Sequence, residues 1–477
     1  MTESLKQTAV KGVIWSSIER FSVQGVQFIV MIVMARLLTP EDYGLIGMLA
    51  IFLAISQSLI DSGFSQALIR KQDRTETDNS TVFYFNIVVG FLLYAILFIA
   101  APWVAEFYKQ PELCPVMRVV CLGIILNSLA VVQRALLTVK IDFKTQAKAS
   151  LAAAVFSGVV GVGMAYTGFG VWALVWQQLL NLGINTLLLW ILSKWKPIWS
   201  YSWNSFRELF SFGSKLLASG LLNTVYVNIY TIVIGKFFSA AALGHYTRAE
   251  QFAGFPSSNI TGILQRVTYP ILCSIQDDLE RLRNTYRKFL KLSAYVIFPL
   301  MMGLAGVSDV FIQIFLGEQW MFCAELLQIV CFFMMWFPIH AINLNLLQVR
   351  GRSDLFLRLE IIKKIVGVSV LCITVPLGLK VMCIGSAFSS IICLIINTYY
   401  TGKLIKVGFF IQMRDLFPTL LVSVAMFIGL LIFQSVIEGM YFKLIASIAA
   451  GICFYLFVTK IFHFSELQEL ISLIRRK

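Results

Sequence analysis

The stretch GVIWSSIERFSVQGVQFIVMIVMARLL, Gly12–Leu38, runs for 27 residues and carries charge only at Glu19, Arg20 and Arg36. A hydrocarbon core about 30 Å thick is crossed by roughly 20 apolar residues of helix, so this stretch reads as a span. It is too long for the apolar region of a signal peptide and lacks a small-residue cleavage pattern, so it is expected to remain as the first helix. Working outward, thirteen further apolar runs follow at about 43–69, 80–108, 115–139, 147–167, 171–193, 208–235, 245–275, 289–316, 324–349, 356–378, 381–402, 415–436 and 441–462. The chain of 477 residues is 58% hydrophobic and 13% charged, with a mean hydropathy of +0.80. So much apolar surface has no water-soluble core to hide in. Fourteen spans leave about ten residues per connection, too few for a soluble catalytic or binding domain. The fold class expected is an all-α polytopic membrane protein with about 14 transmembrane helices.

The net charge of +14 comes from 39 Lys and Arg against 25 Asp and Glu. Those cations are divided among short connections, with no basic face to track a phosphate backbone, so nucleic acid is excluded as a partner. Alternate connections hold 28 Lys and Arg on one side and seven on the other, the seven being Arg36, Lys109, Arg118, Lys236, Arg248, Lys380 and Lys443. The positive-inside rule then places both termini in the cytoplasm. The 28 include Lys363 and Lys364, counted with the connection before span eleven. Arg20, Arg134, Lys215 and Arg266 remain at membrane depth. Trp195, Trp199, Tyr201 and Trp203 crowd one cytoplasmic connection, at the headgroup level that amphipathic rings prefer. After the last span, Leu467, Leu470, Ile471 and Ile474 form a helical stripe suited to lying on the inner leaflet. Nine cysteines contain no CxxC pair and three histidines are scattered, so no metal site is assigned.

The sequence repeats within itself. Arg36-Leu37-Leu38-Thr39 with Gly44 recurs as Lys236-Phe237-Phe238-Ser239 with Gly244, and Leu136-Leu137-x-Val139-Lys140 recurs as Leu346-Leu347-x-Val349-Arg350. Thr39 and Ser239 are placed to cap the helices that follow. Both echoes put six spans in each half, and an even number gives parallel halves related about an axis along the membrane normal. The organisation expected is a six-helix lobe over 1–206, a second over 207–411, and two additional helices with a short amphipathic one over 412–477.

Buried charge in lipid is costly, at least about 2.5 kcal/mol per group, so the deep charges are the candidate site. Ser16, Arg20, Gln24 and Gln27 share one face of span one; Lys215, Ser219, Asn223, Tyr226 and Tyr230 repeat the pattern in span seven. Facing stripes of this kind would line a hydrated, cationic path. Arg134 with Asn127 and Gln133, Arg266 with Asn259 and Gln265, and Arg248 at the end of span eight are further candidates for holding an anion. Asp61, among Gln57, Ser58, Ser62 and Ser65, is suited to Na⁺ or H⁺ coupling or to pairing with Arg20. No other cofactor is expected. Gly168-x-Gly170-x-x-Ala173 matches a dinucleotide fingerprint in letters but joins two apolar helices, and no P-loop occurs.

Ala35-Arg36-Leu37-Leu38-Thr39-Pro40-Glu41-Asp42-Tyr43-Gly44, Asp61-Ser62-Gly63-Phe64, Ala101-Pro102-Trp103-Val104-Ala105 and Tyr246-Thr247-Arg248-Ala249-Glu250 together resemble the polysaccharide transporter family. That family belongs to the multidrug, oligosaccharidyl-lipid and polysaccharide exporter superfamily. The resemblance implies two six-helix bundles in a V, commonly with two further helices. It also implies a flippase that moves undecaprenyl-diphosphate-linked oligosaccharide to the outer leaflet of a bacterial inner membrane. Membrane lipids and polysaccharide assembly proteins are the partners to expect with it. The alternatives are a drug/cation antiporter of the same superfamily, which would prefer an acidic cavity, and a membrane glycosyltransferase or polymerase. The latter needs a large extracytoplasmic loop that this chain lacks, so an enzyme is not expected.

Overall fold

The computed structural model describes the backbone of residues 2–61 and 63–475; the side chains of 2–14, 16–20, 212, 215, 216, 218, 219, 470, 471 and 473–475 lie outside that description. Among the described residues there is no strand. The helices are α1 (Thr2–Leu37), α2 (Pro40–Arg70, turning at Gly63), α3 (Glu76–Tyr108), α4 (Leu113–Val139, in three pieces), α5 (Phe143–Tyr166) and α6 (Val171–Ser193). Then come α7 (203–237, broken at Asn228), α8 (Ala240–Ser274), α9 (Leu279–Gly306), α10 (Glu318–Val349), α11 (Ser353–Thr374) and α12 (Leu379–Ile405). Last are α13 (Phe409–Val436), α14 (Met440–Ile461) and α15 (Ser465–Arg475). Each apolar run of the sequence falls on one of α1–α14, except that the end of the run at 289–316 forms a separate short helix, Ser308–Phe315.

Among the described residues, ten of these helices are long and apolar enough to cross a membrane. Of the others, α1 counts as apolar over Phe21–Leu37, and α7 is interrupted at Asn228. α8 and α11 fall short because of what they carry: Arg248, Glu250 and Arg266 with two prolines in one, Glu360, Lys363 and Lys364 in the other. The count of fourteen is consistent with this, and the chain is a multi-pass membrane protein.

The repeat has a structural counterpart. Thr39 and Asp42 form reciprocal caps, with Thr39 N donating to Asp42 Oδ2 at 2.9 Å and Asp42 N to Thr39 Oγ1 at 3.3 Å. Ala242 N donates to Ser239 Oγ at 3.0 Å, at the same place in the second copy. The other echo ends two helices alike. Ile141 and Gly351 both have positive φ, and Asp142 N and Arg352 N reach back to Leu137 O (2.9 Å) and Leu347 O (2.8 Å). The Gly168–Gly170 segment is the turn between α5 and α6, both glycines having positive φ.

By packing, the chain forms two units, Met1–Gly244 and His245–Lys477. In the first, α1 lies on α5, α5 on α6, and α7 along α2. The first unit thereby extends past residue 206 and takes in α7. One end of it is an aromatic core in which Phe64, Phe83, Val132 and Leu209 are buried together. The connection after α6 is tied to α3 there: Trp195 Nε1 donates to Glu76 Oε2 at 2.6 Å and Ile198 N to Ser80 Oγ at 3.0 Å. Trp199 is 97% exposed and stacks on Tyr84, a ring presented to the headgroup level.

In the second unit α9 is central, packing against α10 and α13. A buried polar knot joins four helices. Tyr286 Oη donates to Asn343 Oδ1 at 2.9 Å, and Gln412 Nε2 donates to Tyr286 Oη at 3.1 Å and to Thr401 Oγ1 at 3.0 Å. In lipid such groups must be satisfied internally, so α13 is fastened to the unit rather than appended to it. Just beyond, Arg287 makes a forked pair with Asp415, both bonds 2.7 Å, and Lys291 lies 3.5 Å from the same carboxylate. α15 docks through Glu469, 2.8 Å from Lys288.

Candidate functional site

The first unit contains a polar line inside the membrane-spanning bundle. Asn127 Nδ2 on α4 donates to Gln57 Oε1 on α2, and Gln57 Nε2 donates to Asp61 Oδ2 at 2.9 Å. Gln57 and Asp61 meet because four residues make one helical turn; Asn127 reaches them because α4 is broken beside it. Asp61 has no ion-pair partner among the described residues, and its chemistry is that of a half-buried carboxylate held by an amide relay.

Arg20 and Lys215 lie on α1 and α7, but their side chains are outside the described residues, so the pairing of Arg20 with Asp61 is not seen. Gln24, on α1, has its Oε1 buried with no hydrogen-bond partner among the described residues. Asn223 is exposed on α7. Arg134 is half-buried on α4 with no acid paired to it among the described residues. Its expected companions go elsewhere: Asn127 bonds to Gln57, and Gln133, with its amide turned, bonds to Leu129 O and Trp190 Nε1. In the second unit, Arg266 is exposed on α8, also without an acid among the described residues, while Asn259 bonds to Phe255 O at 2.8 Å. Arg248 is half-buried near the start of the same helix.

Sequence reading did not single out the contacts between α2 and the α7–α8 corner of the first unit. A Cβ on Gly44 would stand 1.8 Å from Ala240 O, and one on Gly244 1.8 Å from Pro40 O. The two glycines of the repeat thus each pack on the other copy's first helical residue. At the far end of the same seam, a Cβ on Gly63 would stand 2.7 Å from Gly213 Cα. Lys71, beyond Gly63, reaches Glu208 on α7 at 2.9 Å and Asp78 at 3.2 Å. The hydrogen bond to Glu208 raises the Lys71 pKa above the ordinary lysine value despite some burial. The spacing of Gly44 and Gly244 was the signal for these contacts, but only their packing gives it a meaning.

A second group missed by sequence reading lies in the other unit. Lys363, counted there with a cytoplasmic connection, sits ten residues into α11, pairs with Glu360 and keeps only 14% of its side chain exposed. That moves one cation of the 28 into the helical bundle.

Comparison with known proteins follows the same lines. A family model described as "Polysaccharide biosynthesis protein" matches residues 33–325. The teichuronic acid biosynthesis protein TuaB of Bacillus subtilis (strain 168) is 28% identical over 468 residues, 95% of this chain and 96% of that protein. The lipopolysaccharide biosynthesis protein WzxC of Escherichia coli (strain K12) is 24% identical over 397 residues, 83% of this chain and 80% of that one. Among solved structures, lipid II flippase MurJ in an inward closed conformation matches with a TM-score of 0.78 at 14% identity, covering 96% of this chain and all of that one. An inward-facing multidrug resistance MATE family transporter of the MOP superfamily matches with a TM-score of 0.61 at 16% identity, over 88% and 98%. These structural likenesses establish a shared fold.

Proposed function

Because the chain belongs to the family of polysaccharide biosynthesis proteins, we propose that it is a flippase for undecaprenyl-diphosphate-linked oligosaccharide. It would carry the repeat unit of a surface polysaccharide across a bacterial inner membrane by alternating access, with both termini in the cytoplasm, and would make or break no covalent bond. The observation that carries this reading is that Arg134 and Arg266 lie within the helices with no acid to neutralise them among the described residues. Hydrocarbon rejects the charge of a diphosphate, and guanidinium groups hold it in a forked geometry. A drug/cation antiporter would call for the opposite sign. Arg20, Gln24, Lys215, Asn223 and Arg248 join the proposed path by their helix faces, Asp61 is the proposed coupling site, and 1–206 and 207–411 are the proposed lobes, supported by the two echoes. Polysaccharide assembly proteins are its proposed partners.

Deleting the gene is expected to remove one surface polysaccharide while its lipid-linked repeat unit accumulates on the cytoplasmic leaflet. A mutant in which the unit is never assembled would point to an enzyme instead. Orientation is checked separately, in a background without native cysteines: single cysteines within 71–79 and 281–288 are expected to be shielded from impermeant thiol reagents in intact cells, and those within 317–320 to be labelled. The reverse pattern would invert the topology. For the path itself, Arg20→Ala is expected to abolish export at normal membrane abundance and Arg20→Lys to keep part of it, since charge survives without the fork. Asp61→Asn, which retains an acceptor for Gln57, is expected to lose export in the same way. Export that falls only in step with abundance would make both residues structural.

A further inference from the structure

Two cavities of the second unit lie end to end along α9, and neither belongs to the path described above. The first, of 250 Å³, is polar and is lined by Asn284, Arg287, Lys288 and Lys291 of α9 and by Glu466 and Glu469 of α15. Most of its charges are already matched. Arg287 takes both oxygens of Asp415, and Lys288 holds Glu469 at 2.8 Å. Two groups are left over. Lys291 reaches Asp415 only at 3.5 Å, behind the forked Arg287. Glu466 is 8% exposed and has no hydrogen-bond or ion-pair partner among the described residues. A carboxylate withdrawn from water without a partner is costly, so the cavity suits a positive group beside Glu466 together with a negative one beside Lys291.

The second cavity, of 450 Å³, is apolar and lies between α9, α13 and α14. Small residues open it: an added Cβ on Gly303 of α9 would stand 3.5 Å from Met426, and one on Gly451 of α14 3.4 Å from Leu430. Leu300 and Ile452 line it and are exposed, so lipid can enter from the side. One face of α9 joins the two cavities. Leu292 lines the polar one, Leu300 and Leu304 line the apolar one, and Val296 is exposed between them, all four residues apart. Tyr455 of α14 closes on this junction, its Oη donating to Tyr295 O at 2.9 Å. No charged residue occurs from Leu292 to Gly306 or from Leu444 to Thr459, so Lys291 and Lys460 mark the same face of the membrane. Pro299 is the first groove residue on α9, and at about 1.5 Å per residue it lies roughly 12 Å below Lys291. The polar cavity thus stands at headgroup level and the groove at acyl-chain depth.

We propose that the two cavities form one binding site for a membrane phospholipid with an amine-bearing headgroup, phosphatidylethanolamine, held as a structural lipid rather than as cargo. Its phosphate meets Lys291, its ammonium meets Glu466, and one acyl chain runs down the α9 face into the groove. A zwitterion answers both leftover groups at once and leaves the sum of charge in the cavity unchanged. A lipid diphosphate would instead bring several negative charges against Glu466, so the site is separate from the proposed transport path and does not rest on the flippase reading. The bound lipid ties α14 and α15 to α9.

The test uses the full-length protein, purified in detergent and delipidated, with phosphatidylethanolamine, phosphatidylglycerol and undecaprenyl phosphate as probes and bound lipid read by native mass spectrometry. The wild type is expected to hold one phosphatidylethanolamine about tenfold more tightly than phosphatidylglycerol, the worth of one charge-assisted hydrogen bond. Glu466→Lys is expected to reverse that order, because phosphatidylglycerol brings an anion and no ammonium. An order of two lipids is read on folded protein, so a loss of folded material cannot imitate the reversal. Leu300→Trp, which fills the groove from its open side, is expected to weaken both phospholipids several-fold and keep their order. An order unchanged by Glu466→Lys, full retention by Leu300→Trp, or no lipid held by the wild type overturns the proposal. Undecaprenyl phosphate displacing phosphatidylethanolamine at equal concentration also overturns it, and would make this a site for the carrier lipid.

Discussion

Gly44→Ala and Gly244→Ala are each expected to lower export at least about tenfold, while Gly25→Ala and Gly163→Ala leave it unchanged. At Gly44 and Gly244 the new methyl would stand 1.8 Å from a backbone carbonyl oxygen. Backbone cannot rotate aside, so the two helices would have to part by more than an ångström to restore van der Waals contact. Overpacking of this kind costs about 1–3 kcal/mol, and 1.4 kcal/mol already shifts a two-state equilibrium tenfold. The controls have nothing within 4 Å of the added carbon and only lose the flexibility of glycine. Export and membrane abundance are measured together. Normal export by both variants would show that the reciprocal contact is not part of the transport cycle.

The second large effect is on stability. Asp415→Ala leaves Arg287 without its forked partner and Lys291 without its neighbour, under the polar knot that fixes α13. Removing one member of a buried pair costs about 3–5 kcal/mol. Asp415 is 4% exposed but Arg287 36%, so water relieves part of that, and about 2 kcal/mol is expected. The melting temperature of the detergent-solubilised protein should fall by several degrees. Replacing both partners, Arg287→Met with Asp415→Leu, should recover most of it, because no guanidinium is then left without its partner. An unchanged melting temperature in Asp415→Ala would mean that the polar knot alone holds α13.

The helices were legible because lipid demands long apolar runs with every backbone group satisfied internally, and each run of the sequence lies on a helix of the structure. The caps at Thr39 and Ser239 were legible as local signals. The candidate site was legible only in part. Arg134 and Arg266 stand without acids among the described residues, yet Asn127, expected beside Arg134, serves Asp61 through Gln57 instead. Helical spacing says which residues share a face but not which neighbour that face meets.

Lys363 marks the same boundary. Its place near a short connection made it a surface cation by sequence, and its position ten residues into α11, paired with Glu360, makes it a half-buried one. By itself, the sequence determined the class of protein, the order of its apolar runs and the capping signals repeated within it, because hydrophobic length and capping depend on residues close together in the chain. The tertiary structure alone decided that Gly44 meets Ala240, that Gln412 joins Tyr286 to Thr401 and that His340 lies between Ser390 and Asn397. Those partners are 11 to 196 residues apart, and only packing brings them together.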